Sequence, residues 1–331
     1  MGLLEGKVAI VTGGGRGIGR SHALTLAREG AAVLVNDLGT SLTGKGADAG
    51  PAADVAAEIT AAGGRAIADT SDIADWDSTR SLVGRAVETF GRLDILVNNA
   101  GITEYESIET ERGDGWKRVM DVNITGTAAL MHWAAQYWAS QGPEIGRAVV
   151  NTASPAGTNP PPGAISYVVS KAGVAALTVA TATELAHLGV RVNALAPMAR
   201  SRMSDAIPVL EKIMRVPEQG LDRMAPENIS NLMLYLASPD CRFTGRVFAV
   251  DGDAIYLFEN MSAETRISNG DKAWEHAELV RAMADAPLQS RSFMVAPSLH
   301  IREEAPGTNV LDAFDKIARG EPVEVWKRID G

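Results

Sequence analysis

The run Lys7-Val8-Ala9-Ile10-Val11 leads directly into Thr12-Gly13-Gly14-Gly15-Arg16-Gly17-Ile18-Gly19, and a helical stretch follows from about Ile18 to Glu29. A short apolar run of this kind reads as a strand buried on both faces. A strand, a glycine turn and a helix in that order suit a dinucleotide. The backbone must turn tightly, approach a pyrophosphate closely and aim helix N-terminal N–H groups at its charge. The spacing, with Gly13, Gly17 and Gly19 as G-x-x-x-G-x-G, departs from the commoner G-x-G-x-x-G.

Ala31-Ala32-Val33-Leu34-Val35 reads as a second buried strand, and Asn36-Asp37 at its carboxyl end puts an acid where an adenosine ribose should lie. A carboxylate there accepts from the 2'-hydroxyl and repels a 2'-phosphate, so Asp37 favours NAD over NADP. Arg16 points the other way if it pairs with a 2'-phosphate, and is neutral if it is simply solvated. The carboxylate decides the expectation for NAD.

Downstream, Ser154 precedes Tyr167 by thirteen residues, and Lys171 follows Tyr167 by four. On a helix Tyr167 and Lys171 share a face. A phenol titrates near 10, so it serves as a base near neutrality only if its phenolate is favoured, at about 1.4 kcal/mol per pH unit. A lysine ammonium one turn away is expected to lower it, and Ser154 to hydrogen-bond a substrate oxygen.

Thr12 to Gly19, Asn98-Asn99-Ala100-Gly101, Asn123, Ser154 and Tyr167-x-x-x-Lys171 together resemble the short-chain dehydrogenase/reductase superfamily, over about Leu3 to Leu257. The resemblance implies Asn123, Ser154, Tyr167 and Lys171 as the catalytic set. It also implies a cofactor site built from Gly13, Arg16, Gly17, Ile18, Gly19, Asp37, Asp72, Asn99, Ala100, Gly101, Tyr167, Lys171 and Pro197. Asn123 would complete a proton relay through the lysine. Asp72 would touch the adenine, or else cap the next helix. Pro197 would lie by the nicotinamide, although Met198 stands where many relatives have glycine. No metal is implied, and no Cys/His cluster has ligand spacing.

Asn36-Asp37-Leu38-Gly39, the loop with Gly44-Lys45-Gly46, and Ser201-Arg202-Met203 are similar to the dehydrogenase domains of type 2 peroxisomal multifunctional enzymes. That similarity implies oxidation of a lipid-derived secondary alcohol, a 3-hydroxyacyl-CoA or hydroxysteroid. Two alternatives stay open: an NADPH-dependent carbonyl reductase acting on aromatic or terpenoid ketones, supported by Arg16, and a nucleotide-bound protein without turnover.

Alternating strand and helix signals predict an α/β fold, a Rossmann-type doubly wound parallel sheet of about seven strands with helices on both faces and a C-terminal extension. Strands are expected near 7–12, 31–36, 65–69, 93–97, 147–152, 190–195 and 246–250, and Ala-rich helices at 52–62 and 172–187. Residues 38–54 read as a long flexible loop, and 116–139 as one helix resembling the family's oligomer interface. Residues 1–257 form the catalytic domain and 258–331 the extension, with helices near 272–284 and 309–319 and Trp274 and Trp326 as anchors. The segment after Pro197, with Met198, Met203, Met214 and Met224 among Arg200, Arg202, Lys212 and Arg215, reads as an adaptable lid.

A net charge of -10 argues against nucleic acid or anionic membrane as partners. The expected partner is a small-molecule alcohol or ketone, in a homodimer or homotetramer. One cysteine, Cys241, excludes an internal disulfide framework. With no basic n-region before an apolar segment and no run judged long enough to span a bilayer, the expected location is cytoplasmic.

Overall fold

The computed structural model describes residues 2–158, 160–205, 214–259, 267–269, 272–284, 319 and 321. The strands are β1 (Val8–Thr12), β2 (Ala32–Asn36), β3 (Arg65–Asp69), β4 (Ile95–Asn98), β5 (Arg147–Thr152), β6 (Val190–Met198), β7 (Val247–Asp251) and β8 (Ala254–Leu257). Among the described residues they form one eight-stranded sheet in the order β3-β2-β1-β4-β5-β6-β7-β8. β1 to β7 pair in parallel. The chain winds one way through β1, β2 and β3, then crosses back to place β4 on the other side of β1. The crevice between β1 and β4 is therefore where strand order reverses, the place in such sheets where ligands bind.

The helices are α1 (Gly17–Arg28), α2 (Gly50–Ala61), α3 (Trp76–Phe90), α4 (Gly113–Met120), α5 (Gly126–Gln141), α6 (Pro155–Thr158), α7 (Ile165–Glu184), α8 (Arg202–Asp205), α9 (Pro226–Ala237) and α10 (His276–Met283). The two-residue period of the strands sorts their side chains between two cores. Ala9, Val11, Val33 and Val35 meet Ala23 and Leu26 of α1, Val55 and Ile59 of α2, and Ile229 and Met233 of α9. Val8, Ile10, Leu34 and Leu96 face the opposite layer of Leu82, Ala86, Leu130 and Trp138. Trp138 is fully buried and donates its indole N–H to the Leu93 carbonyl at 2.8 Å. With both faces covered, these strands need no polar alternation.

The amino ends of the strands are sealed by charge. Buried Asp94 accepts from Lys7 Nζ at 3.1 Å, from the Val8 N–H at 3.0 Å and from Arg92 at 2.6 and 2.8 Å. Buried Arg147 donates to the Gly142 carbonyl at 2.7 Å and pairs with Glu144. The candidate site residues gather at the other end.

Several local expectations are corrected. The sheet has an eighth strand, β8, returning antiparallel after a two-residue Gly252-Asp253 turn, with Gly252 at φ +61°. It is short, and Ile255 and Leu257 face solvent, so it lacks the signature of a buried strand. The loop after β2 ends at Ala49, because Gly50-Pro51 opens α2 with proline in the first turn. It is also internally bonded, with the Asp48 N–H reaching the Leu38 carbonyl at 2.9 Å and the Ser41 N–H the Lys45 carbonyl at 2.8 Å. The single helix expected over 116–139 is α4 and α5 joined by a π-helical turn, Asp121–Thr125. α7 starts at Ile165, earlier than expected. Its full length makes it long and apolar enough to span a bilayer by composition, with mean hydropathy 1.4, although buried Val174, Thr178 and Ala182 pack it into the fold and Lys171 is buried within it. In the extension α10 covers His276–Met283 and Trp274 is half-buried. The helix expected at 309–319, Lys212 and Trp326 fall outside the described residues, apart from Arg319 itself.

α1 and α9 are locked by a buried polar trio. His22 Nδ1 lies 2.8 Å from Ser230 Oγ, which donates to Ser21 Oγ at 2.8 Å. Full burial lowers the His22 pKa from 6.5 to about 3. Between these values the unfolded chain holds a proton that the native protein excludes. Stability from this group is complete above about pH 6.5 and is lost as the pH falls toward 3, by at most about 1.4 kcal/mol per pH unit. Urea unfolding between about pH 4.5 and 7 should show this slope, and His22→Gln should flatten it. An unchanged slope in the variant would assign the effect to other groups.

Candidate active site

The glycine turn closes over the end of β1. Thr12 is buried, and its Oγ1 accepts from the N–H groups of Asn99 and Ala100, both at 3.1 Å. The Asn99 amide donates to the carbonyls of Thr12 and Gly13, each at 3.1 Å. These bonds fasten the exit of β4 to the exit of β1 across the crevice. Gly13 and Gly17 take φ of +60° and +51°, a region that costs other residues about 1–2 kcal/mol. Gly19 is required for a different reason: a Cβ there would lie 2.0 Å from the Gly13 carbonyl oxygen. The turn is thus closed to a side chain at Gly19, where its backbone packs against the Gly13 carbonyl. Ile18 is half-buried and packs on the core cluster beneath.

Asp37 follows β2 and turns back toward the glycines. One carboxylate oxygen accepts from the Gly15 N–H at 2.9 Å and the other from the Gly39 N–H at 2.7 Å. Arg16 flanks this acid and pairs with Asp48 at 3.5 Å. Arg202 reaches the same corner, donating to the Thr40 carbonyl at 3.2 Å. Burial and the Arg16 charge lower its pKa, while Asp37 opposes them. Asp72 is exposed and accepts from the Ala74 N–H at 2.9 Å. It does not cap α3, whose N-cap is Asp75. Ser71 beside it is held to the sheet, since Asn36 donates to its carbonyl at 2.9 Å and buried Asp69 accepts from its N–H at 2.7 Å.

The second group lies at the ends of β4, β5 and β6. Lys171 is 4% exposed and donates to the Thr152 carbonyl at 2.7 Å. Burial lowers its pKa to about 8. Its Nζ stands 5.8 Å from the ring centre of Tyr167, one turn earlier on α7. Ser154 follows β5, is buried, and hydrogen-bonds the Tyr167 phenol. A close helix contact makes this possible. At Gly157 in α6 a Cβ would fall 2.7 Å from the Ala172 N and Lys171 C atoms, so only glycine lets α6 lie against α7.

Asn123 sits in the π-helical turn and is almost wholly buried. Its Oδ1 accepts from the Ile102 N–H at 2.9 Å, and its amide donates to the Ile102 carbonyl at 3.0 Å and to Ser170 Oγ at 2.9 Å. Ser170 in turn donates to the Tyr167 carbonyl at 2.8 Å. Gly101 completes the contact: a Cβ there would stand 3.2 Å from Lys171 Nζ and 3.3 Å from Asn123 Oδ1. Pro197 is half-buried near the end of β6, in register with Val250.

Ser154, Tyr167, Lys171, Asn123 and Gly101 therefore converge, and Gly13 to Gly19 with Asp37, Asn99 and Ala100 form the adjoining cradle. One electrostatic expectation is corrected. Burial raises the Tyr167 pKa, with the Ser154 bond opposing it, because the Lys171 ammonium points to Thr152 and its charge does not offset desolvation. The structural parts played by Thr12 and Ser170 are not assigned from sequence. Thr12 ends a buried strand and Ser170 adjoins Lys171, which are the local signals that could mark them.

The glycine geometry separates two substitutions. Gly17→Ala, with open space around its Cβ, should keep nucleotide binding at a stability cost of about 1–2 kcal/mol. Gly19→Ala should abolish binding in a fluorescence titration with NADH. Equal binding by the two variants would sink this account of the cradle.

The family profile described as short chain dehydrogenase matches residues 7–207. Hydroxyacyl-CoA dehydrogenase ChsB1 of Mycobacterium tuberculosis is 37% identical over 85% of this chain and 89% of its own length. Peroxisomal multifunctional enzyme type 2 of Drosophila melanogaster is 30% identical over 94% of this chain, which spans 52% of that protein. Among solved structures, a short chain dehydrogenase from Mycobacterium avium superposes with a TM-score of 0.75 at 43% identity, covering 86% of this chain and 95% of the other. A 7α-hydroxysteroid dehydrogenase complexed with NADH and 7-oxo glycochenodeoxycholic acid gives 0.67 at 30% identity, covering 76% and 94%. The chain belongs to the short chain dehydrogenase family and is an oxidoreductase.

Proposed function

We propose that this protein is an NAD-dependent dehydrogenase that interconverts a secondary alcohol and its ketone, with Tyr167 as the general base or acid. The observation that carries the reading is the convergence of Ser154, Tyr167 and Lys171 beside Gly101 and Asn123, at the reversal of strand order. A bound nicotinamide supplies the hydride acceptor or donor. The protein's own groups handle the proton and the oxygen. The Ser154 hydroxyl and the Tyr167 phenol, bonded to each other, form a pair that a substrate oxygen can join. In oxidation the phenolate oxygen takes the hydroxyl proton, and in reduction the phenol returns one to the carbonyl oxygen. Burial makes the phenol a reluctant acid, so the reaction depends on positive charge from Lys171, which is mostly protonated below its pKa of about 8. Asn123 and Ser170 hold the Tyr167 backbone while that happens.

Asp37 supports NAD over NADP, because a 2'-phosphate would meet a carboxylate held by the Gly15 and Gly39 N–H groups. An NADPH-dependent carbonyl reductase is the second reading, favoured by Arg16 and by Arg202, whose charge interacts with both Arg16 and Asp37. For the substrate we favour a 3-hydroxyacyl-CoA or a hydroxysteroid, on the strength of the named hydroxyacyl-CoA and hydroxysteroid relatives. A homodimer or homotetramer is proposed from α7, an apolar helix on which Val169, Ala176 and Ala180 face solvent. The proposed setting is cytoplasmic, with no nucleic acid or membrane as partner.

An absorbance assay for NADH against 3-hydroxyacyl-CoAs, hydroxysteroids and cyclic alcohols tests the reading. Tyr167→Phe should lower kcat by at least about 100-fold, the usual worth of a general base, while the protein still binds nucleotide. Turnover that survives in Tyr167→Phe would remove the tyrosine from the mechanism, and nucleotide binding without turnover of any alcohol would favour a non-catalytic role. Asp37→Ala should narrow the preference for NAD over NADP by about tenfold or more, since 1.4 kcal/mol of lost repulsion is one factor of ten. A preference that stays fixed would move cofactor choice away from Asp37.

A further inference from the structure

The loop leaving β4 carries a second phenol, Tyr105, half-buried and close enough to Tyr167 for the two to interact electrostatically. Its hydroxyl donates to the Met203 carbonyl in α8 at 3.3 Å. We infer that Tyr105 is a positioning residue for the alcohol pocket: by holding Met203 it ties the chain after β6 to the wall that carries Tyr167, and so sets substrate affinity. The inference rests on the dehydrogenase reading of the site.

The wall is rigid where Tyr105 leaves it. Ile102 is bonded on both sides by Asn123, the Thr103 N–H donates to the Leu42 carbonyl at 3.2 Å, and the Glu106 carbonyl accepts from the Ile165 N–H at 3.2 Å. The last contact fixes the residue after Tyr105 to the start of α7, two residues before Tyr167. The far side is anchored as well. Arg200 grips Asp222 through two guanidinium nitrogens, and its N–H reaches the Met224 carbonyl at 2.7 Å. Between these anchors, Arg202 bonds the cofactor-side loop at Thr40 and Met203 bonds the substrate-side wall at Tyr105. Neighbouring residues are thus held to opposite banks of the site. Burial and the charge of Tyr167 raise the Tyr105 pKa, with the Thr103 side chain opposing them, so near neutral pH this phenol is protonated and can donate.

Tyr105→Phe removes the donor and keeps the ring. In the full-length enzyme it is tested by two readouts: alcohol kinetics at saturating NAD, and trypsin cleavage after Arg202 located by mass spectrometry, with cleavage after exposed Arg112 as reference. We expect KM for the best alcohol to rise about 3- to 10-fold, the worth of one neutral hydrogen bond. kcat and its pH profile should stay within about twofold, and cleavage after Arg202 should quicken about threefold or more as the local tie is lost. Unchanged cleavage would refute the tie. Faster cleavage with an unchanged KM would refute the positioning role, and a collapse of kcat with a shifted pH profile would place Tyr105 in proton transfer instead. If the unmodified enzyme turns over no alcohol, the proposed function fails, and the cleavage comparison still decides whether Tyr105 holds Met203.

Discussion

Where the strand order reverses, β1 and β4 send their chains apart, and nothing in the sheet's own ladder joins the segments beyond their carboxyl ends. Thr12 supplies that join. Its single hydroxyl accepts two backbone N–H groups from the chain after β4, and the Asn99 amide returns two bonds to the chain after β1. The glycine cradle is placed by β1, and Gly101 next to Lys171 is placed by β4. In the proposed reaction, nucleotide and proton chemistry share one crevice because these two exits are fixed to each other. The other contacts of the site, from Asn123 on Ile102 to Gly101 against Lys171, build on that alignment.

Burial sets the electrostatic character of the candidate reaction centre. Tyr167 and Lys171 are both desolvated, which pushes the phenol up and the ammonium down. Each neutral form is therefore easier to reach than it is in water, and neither group holds its charge without a partner. The Ser154 bond favours the phenolate, and the Thr152 carbonyl gives the ammonium a fixed partner. Tyr105, a second phenol near the same pocket, likewise has its pKa raised by burial and by the charge of Tyr167, with the Thr103 side chain opposing them.

Much of this is legible in the chain itself, and the exceptions have physical causes. β1, β2, β4 and β7 announce themselves because burial on both faces demands continuous apolar runs, whereas edge strand β3, half-buried along Ala66–Ala68, is placed by the alternation of strand and helix signals. β8 does not, being four residues long and half turned to solvent. The start of α7 is hidden because Ala164, its N-cap, makes no capping bond with its side chain. The π-helical turn inserts a single residue into an otherwise ordinary helical period, too small a change to see in a sequence of mixed apolar residues. Ser154, Tyr167, Lys171 and Asn123 are identifiable by spacing and resemblance. Their energetics are not, since desolvation depends on the surroundings of a group in space: the expected lowering of the phenol pKa by Lys171 gives way to burial. Tyr105 is invisible for the same reason, because its partner lies 98 residues away.

The sheet divides its labour between its two ends. At the amino ends of β1 and β5, Lys7, Arg92 and Arg147 pair with Asp94 and Glu144 in a network that touches none of the candidate catalytic groups. At the carboxyl ends, glycines, a desolvated lysine and a desolvated phenol are kept in arrangements that cost folding energy. The same strands thus carry a seam of rigidity and a seam of reactivity, separated by their own length. Durability and chemistry can drift independently along this scaffold, so heat tolerance can be rebuilt at one rim while the pocket at the other keeps its shape.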